Sequence, residues 1–361
     1  MTALDAPQQT ADSPAARATW VLVDTMGDPR LWGQSVIAEG AHIRHHSRLG
    51  RTKLSRSRST ETQIVRAIRR AALTGSRRIV TVALPTGCTN TCIAIPVRGS
   101  DGTVLAVEVW AGRPDQKPPA RGAVAAMTCN PATGDVRTSA ELEQLLRTDR
   151  TCGTVRTMPD LSRYLRFLDR PGLMDLFGTA TASTCFTAAV ATVGSRRLRV
   201  VAHRLESGQV GVVLYDVAGQ AAVDDDDLSM TRAVLPRLPL APGCAIGLAD
   251  IRTGIILEWL VRGPYPLGFW AHQHPQIHPD DIDLAAQACG LLLSGRDTAR
   301  CRFRVRFTDH WVAIDACWSL LDRYHPTEAV LELRIVPTTE TRPIHHMPGK
   351  HCAKAAVPLP D

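Results

Sequence analysis

The stretch AIGLADIRTGIILEWL, residues 245–260, carries the clearest structural signal in this chain of 361 residues. Its two halves are rich in β-forming residues, and Arg252-Thr253-Gly254 between them has the composition of a turn. The stretch therefore predicts a two-stranded hairpin. A helix capped by Asp280 or Asp281 and ending at Gly295 is predicted next. Three strands should close the unit, at 299–307, 311–321 and 327–336.

The same order of elements occurs in two earlier parts of the chain. In the first, Thr60 begins a capping-box pattern for a helix that ends at Gly75, and three β-rich runs follow. In the second, a turn at 130–135 precedes helical stretches near 139–146, 161–168 and 172–177 and then three strands. The pattern predicts three tandem domains, at 19–113, 123–218 and 240–337. The remaining segments are predicted as a disordered N-terminus at 1–18, a connecting helix at 224–238 and a flexible tail at 338–361.

The C-terminal unit resembles a PAS domain. The residues that carry the resemblance are Asp250–Ile255 for the first hairpin, His278-Pro279-Asp280-Asp281 for the opening of the helix, and Arg304–Trp311 with Trp318 for the closing strands. The middle unit is similar through its turn at 130–135 but lacks a His-Pro-Asp-Asp counterpart. The first unit fits a PAS or a GAF domain equally well.

As a whole the chain resembles an actinobacterial family of sensor-domain-only proteins that join one GAF and two PAS domains without an effector. The resemblance implies an α+β fold of three PAS/GAF-like domains, each an antiparallel sheet of five to six strands flanked by short helices. One face of each sheet would pack on helices around a space for a ligand, and the other face would dock on a neighbouring domain or subunit.

Signatures of several enzyme classes are missing from the sequence. It contains no phosphate-binding Gly-x-x-x-x-Gly-Lys loop, kinase loop, Gly-x-Ser-x-Gly elbow or His-Glu-x-x-His helix. We expect no catalytic residues and no cofactor. Cys301-Arg302-Phe303 lies in a predicted strand and not in the helix of a flavin-binding motif. The histidines near 272–278 flank prolines in an irregular segment, which is typical of turn or surface residues and not of haem ligands. The tail cluster of His345, His346, His351 and Cys352 can bind metal adventitiously, and no physiological metal site is predicted.

The formal net charge of +7 is concentrated in one segment. Residues 44–78 hold eleven basic residues and one acid, so the rest of the chain carries a net charge of −3. The candidate partner-binding residues are Arg44, Arg48, Arg51, Arg56, Arg58, Arg66, Arg69 and Arg70. Three interpretations stay open, namely a solvated helix face with a basic loop, a dock for an acidic protein, and a nucleic-acid surface. No base-stacking aromatic residue lies between His42 and Ile79.

The ten cysteines contain one short spacing, Cys88 to Cys92, and no second pair that would complete a zinc site. Most of the others, including Cys185, lie in apolar runs and are interpreted as free, buried thiols of a reducing compartment. No run of about 20 apolar residues and no export signal is present, so a cytoplasmic location without membrane contact is expected.

These observations predict a non-enzymatic signalling protein whose domains bind small ligands or partner proteins and act as a scaffold. Its partners would be other signalling proteins, with homodimerisation through PAS surfaces as a further option. The alternative is a nucleic-acid-associated regulator that uses the basic segment. If the third domain holds a ligand, its pocket is predicted near Trp259, Trp270, Cys289 and Trp311.

Overall fold

The computed structural model describes residues 19–55, 57–148, 154–167, 169–178, 185–192, 196–216, 243–308, 310–322 and 327–336. The predicted N-terminal disorder, the connecting helix at 224–238, the tail at 338–361 and Arg56 lie outside these residues. None of the helices in the described ranges is long and apolar enough to cross a lipid bilayer.

The first sheet has six antiparallel strands in the order β3-β2-β1-β6-β5-β4. They are β1 (Val21–Asp24), β2 (Val36–Glu39), β3 (His42–Ser47), β4 (Arg78–Ala83), β5 (Thr89–Arg98) and β6 (Val104–Gly112). Helix α1 (Arg58–Thr74) begins at an N-cap serine, Ser57, and ends at Gly75, whose φ of 60° suits a residue without a Cβ. Ile64, Ile68 and Ala71 on its apolar face are buried against one face of the sheet.

The second sheet has seven strands, in the order β10-β11-β12-β13-β7-β8-β9, where five or six were predicted. Its elements are β7 (Val124–Cys129), β8 (Asp135–Thr138), α2 (Ala140–Leu146), β9 (Val155–Thr157), α3 (Met158–Leu161), β10 (Leu165–Phe167), α4 (Arg170–Asp175), β11 (Cys185–Thr192), β12 (Arg197–Arg204) and β13 (Val210–Asp216). The helix predicted near 161–168 is wrong in its second half. Leu165–Phe167 instead pairs with the edge of β11, because pairing satisfies backbone groups that so short an apolar run cannot satisfy alone.

The third sheet has six strands in the order β15-β14-β19-β18-β17-β16. They are β14 (Cys244–Asp250), β15 (Ile256–Val261), β16 (Gln276–Ile277), β17 (Thr298–Arg306), β18 (Trp311–Leu320) and β19 (Glu328–Ile335), and α5 (Ile282–Leu293) packs on their inner face. The hairpin predicted from residues 245–260 is therefore present as β14 and β15.

All three sheets share the same arrangement of five of their strands. In each, the first strand lies between the second strand and the last, and the last three strands form an antiparallel meander. Each sheet encloses its own apolar core with its helices. The protein is thus a β-rich α+β molecule of three domains.

The third domain also contributes to the core of the second. Ile255, the residue before β15, and Leu257, the second residue of β15, are buried among the apolar residues of the second domain. Arg252 in the same hairpin forms an ion pair with Asp175 of α4 at 2.5 Å. The two domains are therefore held together by packing as well as by charge.

Candidate functional site

The candidate site lies where the first and second sheets pack face to face, a contact that we call the joint. Its apolar residues come from both sheets and are Leu22, Ile37, Ala38, Val97, Leu105, Ala106, Ala126, Val201, Val213 and Tyr215. Tyr215 donates its hydroxyl hydrogen to the carbonyl of Ile37 at 3.1 Å. Gly211 permits the close approach, since a Cβ there would lie 3.0 Å from a Leu105 methyl group.

Asp24 enters the joint at the end of β1. Alternation along the strand directs Val21 and Val23 to the core of the first domain, and Leu22 and Asp24 to the opposite face. The Asp24 carboxylate is buried, and its Oδ1 accepts a hydrogen bond from the backbone N–H of Met26 at 2.9 Å. Its second oxygen remains available to groups from the other sheet.

Cys185 and His203 reach the joint from the second sheet. They lie directly opposite each other in the pairing of β11 with β12, and His203 shares its face with Val201. The Nε2 atom of His203 lies 2.7 Å from Oδ2 of Asp24, an ion-pair contact whose angle falls outside hydrogen-bond geometry. Cys185 is solvent-accessible, so the prediction of a buried thiol is wrong at this position.

His46 completes the cluster from β3. Its backbone has a φ of 47°, in the left-handed region that non-glycine residues rarely adopt. Its Nε2 lies 3.1 Å from Sγ of Cys185, and its Nδ1 lies 3.8 Å from Oδ2 of Asp24. The rings of His46 and His203 meet edge to face at 5.9 Å between centroids. We call Asp24, His46, Cys185 and His203 the joint cluster.

The charges of the joint cluster support one another. Burial by itself raises the pKa of Cys185, but hydrogen bonding and positive charge from His203 and His46 outweigh it and lower the thiol pKa to about 6. Burial likewise lowers the pKa of His203, while Asp24 and Cys185 raise it to about 10. The hydrogen bond with Cys185 is the main cause of a raised pKa at His46. A Cys185 thiolate beside a His203 imidazolium is the state favoured at neutral pH, and the raised pKa of His46 shifts that ring toward its protonated form as well.

Chemically, this arrangement offers a nucleophile and a set of metal ligands in one place. The Cys185 sulfur and one ring nitrogen of each histidine all lie within 4.8 Å of one another. A thiolate of lowered pKa that remains accessible is reactive toward oxidants and electrophiles. Two imidazoles and a thiolate are also ligands of zinc and related ions.

The residues predicted to line a ligand pocket in the third domain do not all meet. Trp270 and Cys289 are buried in the core of that domain, and Trp259 packs against them with its ring 6.0 Å from that of Trp270. Trp311 is 38% exposed and lies between Arg306 and His278 on the surface. Trp311, the first residue of β18, therefore lies apart from the other three, and the pocket itself stays a prediction.

The predicted basic residues are distributed over three elements. Arg44 lies in β3, where the sequence indicated a loop, and it forms an ion pair with Glu39. Arg48 is the N-cap and Arg51 the last residue of a short 3-10 helix after β3. The exposed arginines of α1 are Arg58, Arg66, Arg69 and Arg70. Three of these, Arg58, Arg66 and Arg69, line an open cleft of about 510 Å³ together with Arg30, and Glu61 is its one acidic residue.

None of the residues of the joint cluster was singled out by sequence reasoning. A partial signal was present, since the middle unit ends in three predicted strands, and Cys185 lies opposite His203 when the first two of them pair as a hairpin. Nothing in the local sequence indicates that Asp24 and His46, which lie between 139 and 179 residues earlier, would face that pair.

Residues 19–120 match the family model "Rv3651-like, N-terminal". A crystal structure of an uncharacterised protein from Mycobacterium tuberculosis is similar over 89% of this chain and 97% of that chain, with 20% identity and a TM-score of 0.63. The two matches point to an actinobacterial family, and the second shows that the fold is shared across all three domains.

Two further solved structures are similar at a much lower level. An RNA-binding light-oxygen-voltage receptor covers 59% of this chain and 95% of its own, with 12% identity and a TM-score of 0.22. The E. coli DhaR(N)-DhaL complex covers 56% of this chain and 80% of its own, with 10% identity and a TM-score of 0.18. At these TM-scores neither likeness bears on the fold or the function. No curated protein matches the chain.

Proposed function

We propose that this chain is a non-enzymatic signalling protein in which three PAS/GAF-type sensor domains act as a signal-transfer scaffold. One observation carries the proposal. Asp24 and His46 of the first domain meet Cys185 and His203 of the second across the joint, so chemistry at the cluster acts on the contact between two domains. A local change at such a packed interface can shift the arrangement of whole domains.

The strand order supports the PAS/GAF type. A central first strand, flanked by its hairpin partner and by the last strand of a meander, is the order expected of these sensor folds. The outer faces of the first two sheets dock on each other, which is the use of the second sheet face that the resemblance implies. Among the described residues, Arg302 and Asp315 on the outer face of the third sheet are half exposed, and we propose that this face contacts a partner signalling protein or a second copy of the chain.

Cysteine chemistry supports a cytoplasmic location. The eight described cysteines are all free thiols, and two of them, Cys88 and Cys185, are exposed. Exposed free thiols persist in reducing compartments. We therefore propose that the protein works in the cytoplasm and receives its signal at Cys185 there.

The test is hydrogen-deuterium exchange before and after one covalent change at the joint. Alkylation of Cys185 adds bulk and removes the thiolate, so amide exchange should rise in β1 and β2 of the first domain as well as in β11 to β13 of the second. The Cys185→Ser variant, in which the reagent still reaches exposed Cys88, is the matched control and should show no such rise. A change confined to β11 would overturn the scaffold proposal.

One observation favours the alternative of a nucleic-acid-associated regulator. The cleft that contains Arg30, Arg58, Arg66 and Arg69 presents four guanidinium groups and one carboxylate to solvent. Phosphate binding there should weaken steeply with ionic strength, because it releases counterions. Fluorescence anisotropy with a short duplex across salt, on the wild type and on Arg66→Ala/Arg69→Ala, decides the matter.

The matched control for that experiment is Arg302→Ala, an exposed arginine already paired with Asp315 at 2.6 Å. If the wild type binds the duplex tightly and salt-sensitively, and the double variant loses this binding while the control keeps it, the protein is a nucleic-acid-associated regulator and not a scaffold. Weak binding that is equal in all three proteins leaves the scaffold as the function.

A further inference from the structure

We infer that His46, Cys185 and His203 form a binding site for a transition-metal ion of the zinc class, with Asp24 orienting both histidines. Metal binding itself follows from the geometry of the joint cluster. That the metal ion is the signal received by the protein rests on the proposed function, to which it adds the chemical class of the ligand.

The distances suit a tetrahedral ion. Zinc bonds of about 2.3 Å to sulfur and about 2.0–2.1 Å to nitrogen place neighbouring ligand atoms about 3.3–3.6 Å apart. The ligand atoms of the three residues already lie within 4.8 Å of one another, and the Sγ atom of Cys185 is 3.1 Å from Nε2 of His46. Side-chain adjustments of about 1 Å or less would therefore complete the coordination geometry.

Asp24 occupies the position of an outer-shell partner. Its Oδ2 faces Nε2 of His203 at 2.7 Å and Nδ1 of His46 at 3.8 Å. On His46 this leaves Nε2, which lies 3.1 Å from Sγ of Cys185, for the ion. A carboxylate behind a ligating histidine fixes the tautomer and the orientation of the ring. Because Asp24 is itself anchored by the N–H of Met26, its second oxygen is a fixed negative charge beside both rings before an ion arrives.

The ligand types select the ion. Two imidazoles and one thiolate suit zinc, cobalt and copper, whereas magnesium and calcium require oxygen ligands. Three protein ligands leave one coordination position open to water or to a small incoming ligand. Cys185 is exposed, which provides the entry path.

Convergence of both rings on one sulfur favours a metal site over a simple thiol nucleophile. A nucleophilic cysteine is activated by one base, which a third group orients. Here the second imidazole has no role in such a triad, but it supplies a third ligand to a metal ion. The φ of 47° at His46 is a local cost that brings its ring to the sulfur, and strain of this kind is concentrated at functional sites.

The experiment uses the full-length chain, stripped with a chelator and titrated first with Co²⁺ and then with Zn²⁺. We expect one ion per joint cluster and a thiolate-to-cobalt charge-transfer band that Zn²⁺ abolishes by displacement. Cys185→Ser should lose the band completely. His46→Ala and His203→Ala should each weaken binding more than tenfold, and Asp24→Asn about 10–100-fold through the loss of outer-shell support.

Two controls make the result specific. His42→Ala removes an exposed histidine from the same strand as His46 and should leave the band and the affinity unchanged. A variant with alanine at His345, His346 and His351 removes the competing ligands of the C-terminal tail and should also keep the band. Circular dichroism of each variant checks that the fold is retained.

Binding that survives Cys185→Ser but is lost in the tail variant would overturn the metal site. So would cobalt binding to the wild type without a thiolate band. These outcomes are distinct from failure of the proposed function, which would be metal binding at the cluster without any change in amide exchange across the joint. Metal binding accompanied by such a change supports both.

Discussion

Cys185 shows how the chemistry of one side chain depends on its neighbours from another domain. In the metal-free protein its pKa of about 6 makes it a thiolate at neutral pH. We expect the rate of alkylation by iodoacetamide to reach half of its maximum near pH 6, and not near the ordinary thiol value of 9.0. Peptide mass spectrometry of chelator-treated protein across pH measures this midpoint.

The matched variant for that measurement is His203→Ala. Loss of its positive charge and hydrogen bond should move the midpoint of Cys185 alkylation upward, while alkylation of exposed Cys88 in the same sample stays unchanged. An unaltered midpoint in this variant would show that the imidazoles do not activate the thiol.

Arg156 is the clearest example of a residue whose charge is fully enclosed. Its guanidinium is 0% exposed and donates to Glu143 at 2.5 and 3.0 Å and to Asp160 at 2.6 Å. Arg156→Ala would remove the buried guanidinium that these two buried carboxylates share, so we expect a loss of about 3–5 kcal/mol in the unfolding free energy of the second domain. Urea denaturation followed by hydrogen exchange in β8 and β9 measures it.

Arg163→Ala is the control for that substitution. Arg163 also pairs with Asp160, at 3.5 Å, but its side chain is 39% exposed. Water screens such a pair, and the expected loss is below about 1 kcal/mol. Equal losses in the two variants would contradict the view that enclosure, and not the ion pair as such, sets the size of the effect.

At the scale of elements, sequence patterns predicted most strands and the longer helices. The three-to-four spacing of apolar residues located α1, and turn residues located the hairpin of β14 and β15. The sequence did not predict the short strands β2, β3, β8, β9, β10 and β16. Strands of two to six residues contain too few alternations to distinguish them from loops, and they are stabilised by pairing with a neighbour that local sequence does not reveal.

The start of α5 provides a prediction at this scale. Asp281 accepts hydrogen bonds from the backbone N–H and the guanidinium of Arg304 at 2.8–2.9 Å, which ties the helix to β17. The hydrogen bonds from Arg304 lower the pKa of Asp281 from 3.8 despite its burial. The carboxylate therefore stabilises the fold above pH 3.8, and this contribution is lost as the pH falls through the lower folded-state value.

Asp281→Asn should destabilise the third domain by about 1.5–3 kcal/mol at neutral pH, the range for hydrogen bonds to charged groups. Its stability should also fall less than that of the wild type on acidification. Thermal unfolding at neutral and acidic pH measures both effects. The control is Asp283→Asn, an exposed acid in the first turn of α5 that should cost less than about 1 kcal/mol. Identical acid profiles for wild type and Asp281→Asn would refute the assignment.

At the scale of the whole molecule, the domains are coupled through shared packing. Ile255 and Leu257 belong to the third domain by sequence but lie in the core of the second, where Ile255 also contacts Gly134. Ile255→Ala should therefore increase amide exchange in β7 and β8, with a cost of about 2–5 kcal/mol for the buried side chain. Hydrogen-exchange mass spectrometry locates the effect.

Ile282→Ala is the matched control, because Ile282 lies in the same domain but is 53% exposed. Substitution there should change stability by no more than about 0.5 kcal/mol and should leave the second domain unaffected. If amide exchange in the Ile255→Ala variant rises only within the third domain, the cores of the second and third domains fold independently.

The candidate site was accessible to sequence reasoning only in part. The hairpin of β11 and β12 follows from two apolar runs and a glycine turn, and it places Cys185 opposite His203. The contribution of His46 could not be predicted, because its backbone departs from the regular strand and its partners come from another sheet. Likewise Trp311 is a large apolar residue of the kind that is usually buried. It is exposed because it is the first residue of β18 and lies at the surface of the domain.

The order of three α+β units, the helices with their caps and the turns between strands follow from the amino-acid sequence, because periodicity and turn chemistry act over a few neighbouring residues. The pairing of sheet faces, the burial of Ile255 in a foreign core and the meeting of Asp24 and His46 with Cys185 and His203 depend on the packed molecule. The alternation of residues along a strand specifies that one face is buried, but it does not specify which element covers that face. The joint cluster lies in such a contact, between the faces of two sheets.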